Sequence, residues 1–77
     1  MGELKKFLSD FKKAISIIID ICFQFSYEVE DKGDYYEFYS GGLSTLEDCF
    51  IFLIKQGIAE GDHLVIRIKK DIIKQFS

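Results

Sequence analysis

Proline and tryptophan are absent from this 77-residue chain, histidine occurs once and cysteine twice. Without proline, element boundaries fall to glycines and side-chain caps. Cys22 and Cys49 have no CxxC spacing and no histidine nearby, which excludes a disulfide framework and the usual zinc-site spacings. Both read as free thiols of a cytosolic protein. Long apolar runs are also lacking. The stretch Ala14–Phe25 is broken by Asp20 and Gln24, and a membrane span needs about 20 apolar residues. No small-residue cleavage site follows it, as a signal peptide requires. The expectation is a cytoplasmic protein without a membrane partner.

Clustered basic charge is missing as well. Residues 1–13 carry net +2, residues 14–49 carry eight acids against one lysine, and residues 50–77 carry net +2. An acidic middle between mildly basic ends lacks the footprint of a nucleic-acid partner. Apolar residues, in contrast, are abundant: 48 % of the chain, with eight Phe and four Tyr. That is too apolar for disorder. A domain this small buries a modest share of its surface, so the surplus predicts a homodimer or a protein partner.

Leu4, Phe7, Leu8 and Phe11 recur at helical spacing, with Lys5, Lys6, Asp10, Lys12 and Lys13 outside. The next stretch carries two patterns. From Ile15 to Val29 every odd position is apolar, mostly β-branched or aromatic, which is strand chemistry. Leu4, Leu8, Phe11, Ile15, Ile18, Cys22, Phe25 and Val29 also step by four and three, which suits one long helix. Propensity predicts a helix to Ile18 or Ile19 and a strand from Ile21 to Glu30.

Asp31-Lys32-Gly33-Asp34 reads as a turn and Tyr35–Ser40 as the returning strand, ended by Gly41-Gly42. Ser44 and Glu47 form a capping-box pattern at a helix start, and Gly57 suits the left-handed stop. Glu60-Gly61-Asp62 turns the chain into a strand over His63–Lys69, with Leu64, Ile66 and Ile68 on one side. Asp71–Phe76 reads as a last helical turn with Ile72, Ile73 and Phe76 apolar. The fold class expected is α+β, a two-layer sandwich in the order α-β-β-α-β-(α). A small antiparallel sheet of three or four strands carries two main helices on one face, all in a single domain over residues 1–77.

Chemistry is sparse. His63 is adjacent to Asp62, but neighbours along a strand point to opposite faces, so it reads as an exposed strand-edge histidine of no function. Glu28, Glu30, Asp31, Asp34 and Glu37 gather at the hairpin without calcium-loop spacing and with Lys32 among them. Gly41-Gly42 lacks the Gly-Lys-Ser/Thr of a phosphate loop. Tyr27, Tyr35, Tyr36, Phe38 and Tyr39 read as packing pairs of an acidic hairpin. No cofactor, metal or catalytic residue is expected. In the helix around Phe50, Leu46, Phe50 and Leu53 face the sheet, which leaves Ile51 and Phe52 over. Ile51 and Phe52 are the association candidates, and Glu30, Asp31 and Asp34 the candidates for an acidic contact surface.

Tyr35–Ser40, Gly41-Gly42, Ser44, Cys49–Leu53, Gly57-Ile58, Gly61 and Leu64–Ile68 follow one another in an order that resembles the second half of the HPr phosphocarrier family. The resemblance covers residues 35–69. It implies an HPr-like architecture with most of Ile15–Glu30 helical. The family's phosphate-accepting histidine has no counterpart, since Ile18 falls at its place, and its regulatory serine falls on Cys49. Three functional readings follow. The first is a non-enzymatic, self-associating interaction or regulatory module. The second is a degenerate HPr-like protein that docks onto phosphotransferase-system or transcription-control partners. The third is a thiol activity at Cys49, close enough to a helix N-terminus to lower its pKa.

Overall fold

The computed structural model describes residues 2–77. Its elements are α1 (Gly2–Phe25), β1 (Glu28–Asp31), β2 (Tyr35–Tyr39), α2 (Ser44–Lys55), β3 (Glu60–Gly61), β4 (Val65–Lys69) and α3 (Lys70–Gln75). The four strands form one antiparallel sheet in the order β1-β2-β4-β3. The class is α+β with a four-stranded sheet, as the residue pattern predicts, and the order differs from the expected one by the short strand β3.

The inner face of the sheet offers Phe38 from β2 and Ile66 and Ile68 from β4, all fully buried. Ile15, Ile19 and Cys22 of α1 and Leu46, Phe50 and Leu53 of α2 close over it. The alternation in each strand sends the next residues outward: Tyr35, Glu37 and Tyr39, opposite Lys69, Arg67 and Val65. Phe23 of α1 reaches down to meet Tyr36 and Phe38 edge-on, with ring centroids 5.2 and 5.0 Å apart.

The expected strand from Ile21 to Glu30 is corrected. Helix α1 runs unbroken to Phe25 and only Glu28–Asp31 pairs with β2. The core-facing step Ile15–Ile19–Cys22 buries three side chains on one helical stripe. The odd positions that made the strand pattern are split instead: Ile17 is 58 % and Phe25 59 % exposed. Burial of a continuous stripe outweighs the β preference of single residues.

The capping box is also corrected. Leu43 occupies the cap position in extended conformation, no side chain caps the helix, and the Glu47 amide bonds the Leu43 carbonyl at 3.0 Å. Ser44 therefore lies inside the first turn. The stop is as expected: Gly57 has φ +74, and the Ile58 amide bonds back to the Leu53 carbonyl at 3.0 Å.

The strand predicted over His63–Lys69 starts at Val65. Glu60–Gly61 is itself a strand, and residues 62–64 are the turn between β3 and β4. The Asp62 carboxylate fixes that turn, with Oδ1 accepting the amides of Leu64 (2.8 Å) and Val65 (3.0 Å). Leu64 is accordingly 47 % exposed and does not join Ile66 and Ile68.

Helix α1 outreaches its support. Its 24 residues extend roughly 36 Å at 1.5 Å per residue, whereas a strand of five, such as β4, covers about 17 Å. Every residue from Glu3 to Asp10 is exposed. Leu4 is 61 %, Phe7 66 % and Leu8 52 % exposed. The long axis of the molecule is accordingly 42 Å against 27 and 19 Å for the others.

Candidate functional site

The acidic hairpin is held by its own cations. Lys32 Nζ lies 2.7 Å from Glu30 Oε2, and Lys70 Nζ lies 2.7 Å from Asp31 Oδ1. The hydrogen bond from Lys32 holds the Glu30 carboxyl below the usual range, and Lys70, with the Gly33 amide, does the same for Asp31. Lys70 also sits 4.8 Å over the Tyr36 ring. Of the three acidic candidates, Glu30 and Asp31 are thus paired within the chain, while Asp34 is exposed at the turn.

The outer face of the sheet carries a row of charge across its strands, Glu30–Glu37–Arg67–Glu60. Two facing glutamates repel, and Tyr39 moderates this. Its hydroxyl donates to Glu37 and lies 3.5 Å from Glu30 Oε2. That bond, followed by desolvation and the surrounding glutamates, pushes the Tyr39 phenol up to about 12. Tyr39 stays protonated at neutral pH and acts as a clamp, not a nucleophile. A depression of about 400 Å³ beside this row is lined by residues that include Tyr35, Glu60, Arg67, Lys69 and Ile72. His63 is exposed in the β3–β4 turn rather than on a strand edge. Among the described residues no group of His, Cys, Asp and Glu is arranged to hold a metal ion, and no helix is long and apolar enough to cross a membrane.

Both cysteines are free. Burial, and then the nearby Cys49, push the Cys22 thiol up from 9.0 to about 12. Partial burial raises the Cys49 thiol too, followed by the charge of Asp48. The activation expected from the helix start is therefore reversed in direction. The thiolate is the reactive form, and moving a thiol from 9.0 to about 12 lowers its thiolate fraction about a thousandfold. A thiol reagent at pH 8 is expected to label Cys49 slowly in the native state and Cys22 only on unfolding. Native Cys49 labelling as fast as in the unfolded chain would restore the thiol reading.

Cys49 lines an apolar groove between the end of α1 and the start of α2, with Ile21, Phe25, Leu43, Thr45 and Leu46. Its volume is about 240 Å³, below the roughly 300–1,000 Å³ of ordinary small-molecule sites. Two of its walls are open to solvent, Phe25 at 59 % and Leu43 at 49 %.

Of the association candidates on α2, Ile51 is half-buried and Phe52 is 36 % exposed. The larger exposed apolar surface lies on the first three turns of α1, which periodicity marked as a helix but not as one without a covering layer. The residues do not signal it, because the exposure follows from a mismatch between a long helix and short strands that only the fold reveals. In comparisons with family profiles, curated proteins and solved structures, nothing matches this chain.

Proposed function

We propose that this protein is a non-enzymatic interaction module that works as a homodimer. The observation that carries the reading is the overhang of α1, where Leu4, Phe7 and Leu8 are each more than half exposed. Three such side chains present on the order of 400 Å² per chain. That lies within the roughly 300–600 Å² of the largest patch on a typical monomer, a patch that is often functional. Phe52 adds a smaller exposed ring on α2, and among the described residues Asp34 at the hairpin tip takes part in no ion pair. Light scattering and sedimentation at concentrations from micromolar to millimolar test the reading. The expected result is twice the 8.9 kDa chain mass. A strict monomer throughout overturns self-association.

A second reading keeps the HPr-like resemblance as a docking protein without phosphotransfer. What supports it is the helix through Phe25, since the resemblance requires most of Ile15–Glu30 to be helical; Glu28–Asp31 departs from it as a strand.

A further inference from the structure

Arg67 stands between two glutamates and pairs with neither. Glu37 of β2 and Glu60 of β3 lie opposite it across the sheet. Among the described residues it nevertheless takes part in no ion pair and no side-chain hydrogen bond. Glu37 accepts from the Tyr39 hydroxyl instead. Lys70, also half-buried, is held by Asp31. Arg67 is half-buried and lines the depression of about 400 Å³ together with Tyr35 and Lys69. Strand alternation puts these three on one face, with Tyr35 directly opposite Lys69 and Arg67 two positions along β4.

The backbone adds a donor at the same place. In an antiparallel sheet successive residues turn their backbone groups to alternate neighbours. The Ser40 amide bonds the Leu64 carbonyl and the Lys70 amide bonds the Asp34 carbonyl, so the even positions along β4 face β2. The odd positions face β3, where the Asp62 amide meets the Val65 carbonyl. That pairing ends with Glu60 opposite Arg67. The residues before Glu60 leave the sheet, and the Ile58 amide bonds the Leu53 carbonyl of α2. The Lys69 amide therefore points to an open stretch of the β4 edge, and no backbone partner among the described residues meets it.

The chemistry of the lining selects an anion. The Arg67 guanidinium and the Lys69 ammonium donate and cannot accept, and the Tyr35 hydroxyl can donate. Ile58 and Ile72 supply apolar lining beside them. Polar groups set in a partly apolar hollow of about 400 Å³ match an ordinary small-molecule site, which spans roughly 300–1,000 Å³. A guanidinium fork fits a carboxylate in bidentate fashion. Glu60 also lines the depression, so two cations stand against one carboxylate. A net charge of one balances a monoanion. A phosphate monoester, with close to two negative charges at neutral pH, is left without enough countercharge.

We infer that this depression binds a small organic carboxylate, with its carboxyl group on Arg67 and Lys69 and its apolar body against Ile58 and Ile72. The site goes beyond the self-association reading and does not depend on it.

Benzoate is the probe, titrated into the isotope-labelled full chain and followed by amide chemical shifts. The expected result is saturable binding with a Kd on the order of 1 mM, with the largest shifts at Arg67 and Lys69. Benzamide, which has the ring without the charge, and inorganic phosphate are each expected to bind at least tenfold more weakly. Arg67→Gln is expected to weaken benzoate at least tenfold, and Glu60→Gln, which removes the opposing charge, to tighten it severalfold. Arg67→Lys keeps the charge without the fork and is expected to fall between wild type and Arg67→Gln; it carries the test if Arg67→Gln does not fold. Shifts that never saturate and spread over Lys5 and Lys6 of the α1 arm show a loose counterion and overturn the proposal. Saturable binding that centres on the α1–α2 groove, or that survives both Arg67 variants unchanged, also overturns it. Benzamide as tight as benzoate removes the role of the carboxyl group, and phosphate tighter than benzoate overturns the ligand class.

Discussion

Phe50→Ala is expected to remove about 3–5 kcal/mol of folding stability, a quarter or more of the total. Phe50 is fully buried in the cluster formed by Ile15, Leu46, Leu53, Ile66 and Ile68. Removing a buried phenyl ring costs about 3–5 kcal/mol, the sum of lost transfer free energy and the cavity left behind. A chain of 77 residues has a total stability of roughly 4–12 kcal/mol at 0.05–0.15 kcal/mol per residue. The loss is therefore between a quarter of the stability and all of it. Phe52→Ala supplies the contrast. It lies two positions along the same helix, is 36 % exposed, and is expected to cost about 1 kcal/mol or less. Urea unfolding followed by circular dichroism compares the two. Similar midpoints would mean that α2 is rotated from the orientation described.

The orientation of α2 was legible in the residues because one pattern dominates there. Leu46, Phe50 and Leu53 recur at helical spacing, and Gly57 ends the run. Region 15–30 was not legible in the same way. Isoleucine and phenylalanine at alternate positions and a four-three apolar step coexist over the same residues. Local preference cannot choose between them. The choice is made by the sheet, which offers Phe38, Ile66 and Ile68 as a surface that one helical stripe fills. The exposed Ile17 is what that choice leaves outside. The cap of α2 was misplaced because Ser44 and Glu47 have the right spacing. Spacing alone does not say which residue takes the extended backbone, and Leu43 takes it.

Less of the candidate site was legible. Composition announces an apolar surplus, and Ile51 and Phe52 were its natural bearers because α2 is apolar nearly all round. Part of that surplus is absorbed: Ile51 is half-buried and Ile54 packs against the core. The arm of α1 is amphipathic, and such a helix is normally covered on its apolar face. Its exposure follows only when the lengths of β2 and β4 are known, and strand length is poorly marked in the residues. The pairing of Asp31 with Lys70 joins positions far apart in the chain and required β1, β2 and β4 in register.

Gly61→Ala is expected to lower the melting temperature by more than about 12 °C, the equivalent of roughly 2–3 kcal/mol in a domain of this size. Gly61 has φ +131, a region closed to residues with a side chain. A Cβ built there would collide with the Val65 carbonyl oxygen and lie 3.1 Å from Ile66 Cα. Both obstacles are backbone atoms of β4, an interior strand that carries Ile66 and Ile68 into the core, so neither yields without moving the core. Gly57→Ala separates conformational strain from collision. Gly57 has φ +74 but nothing within 4 Å of the new Cβ, so only the left-handed backbone is penalised, at about 1 kcal/mol or roughly 5 °C. Thermal unfolding of the two variants at one protein concentration is the measurement. Equal shifts would show that β3 does not press against β4 as closely as the pairing of Gly61 with Ile66 requires. A larger loss at Gly61 ties the short edge strand, which periodicity did not reveal, to the stability of the whole sheet.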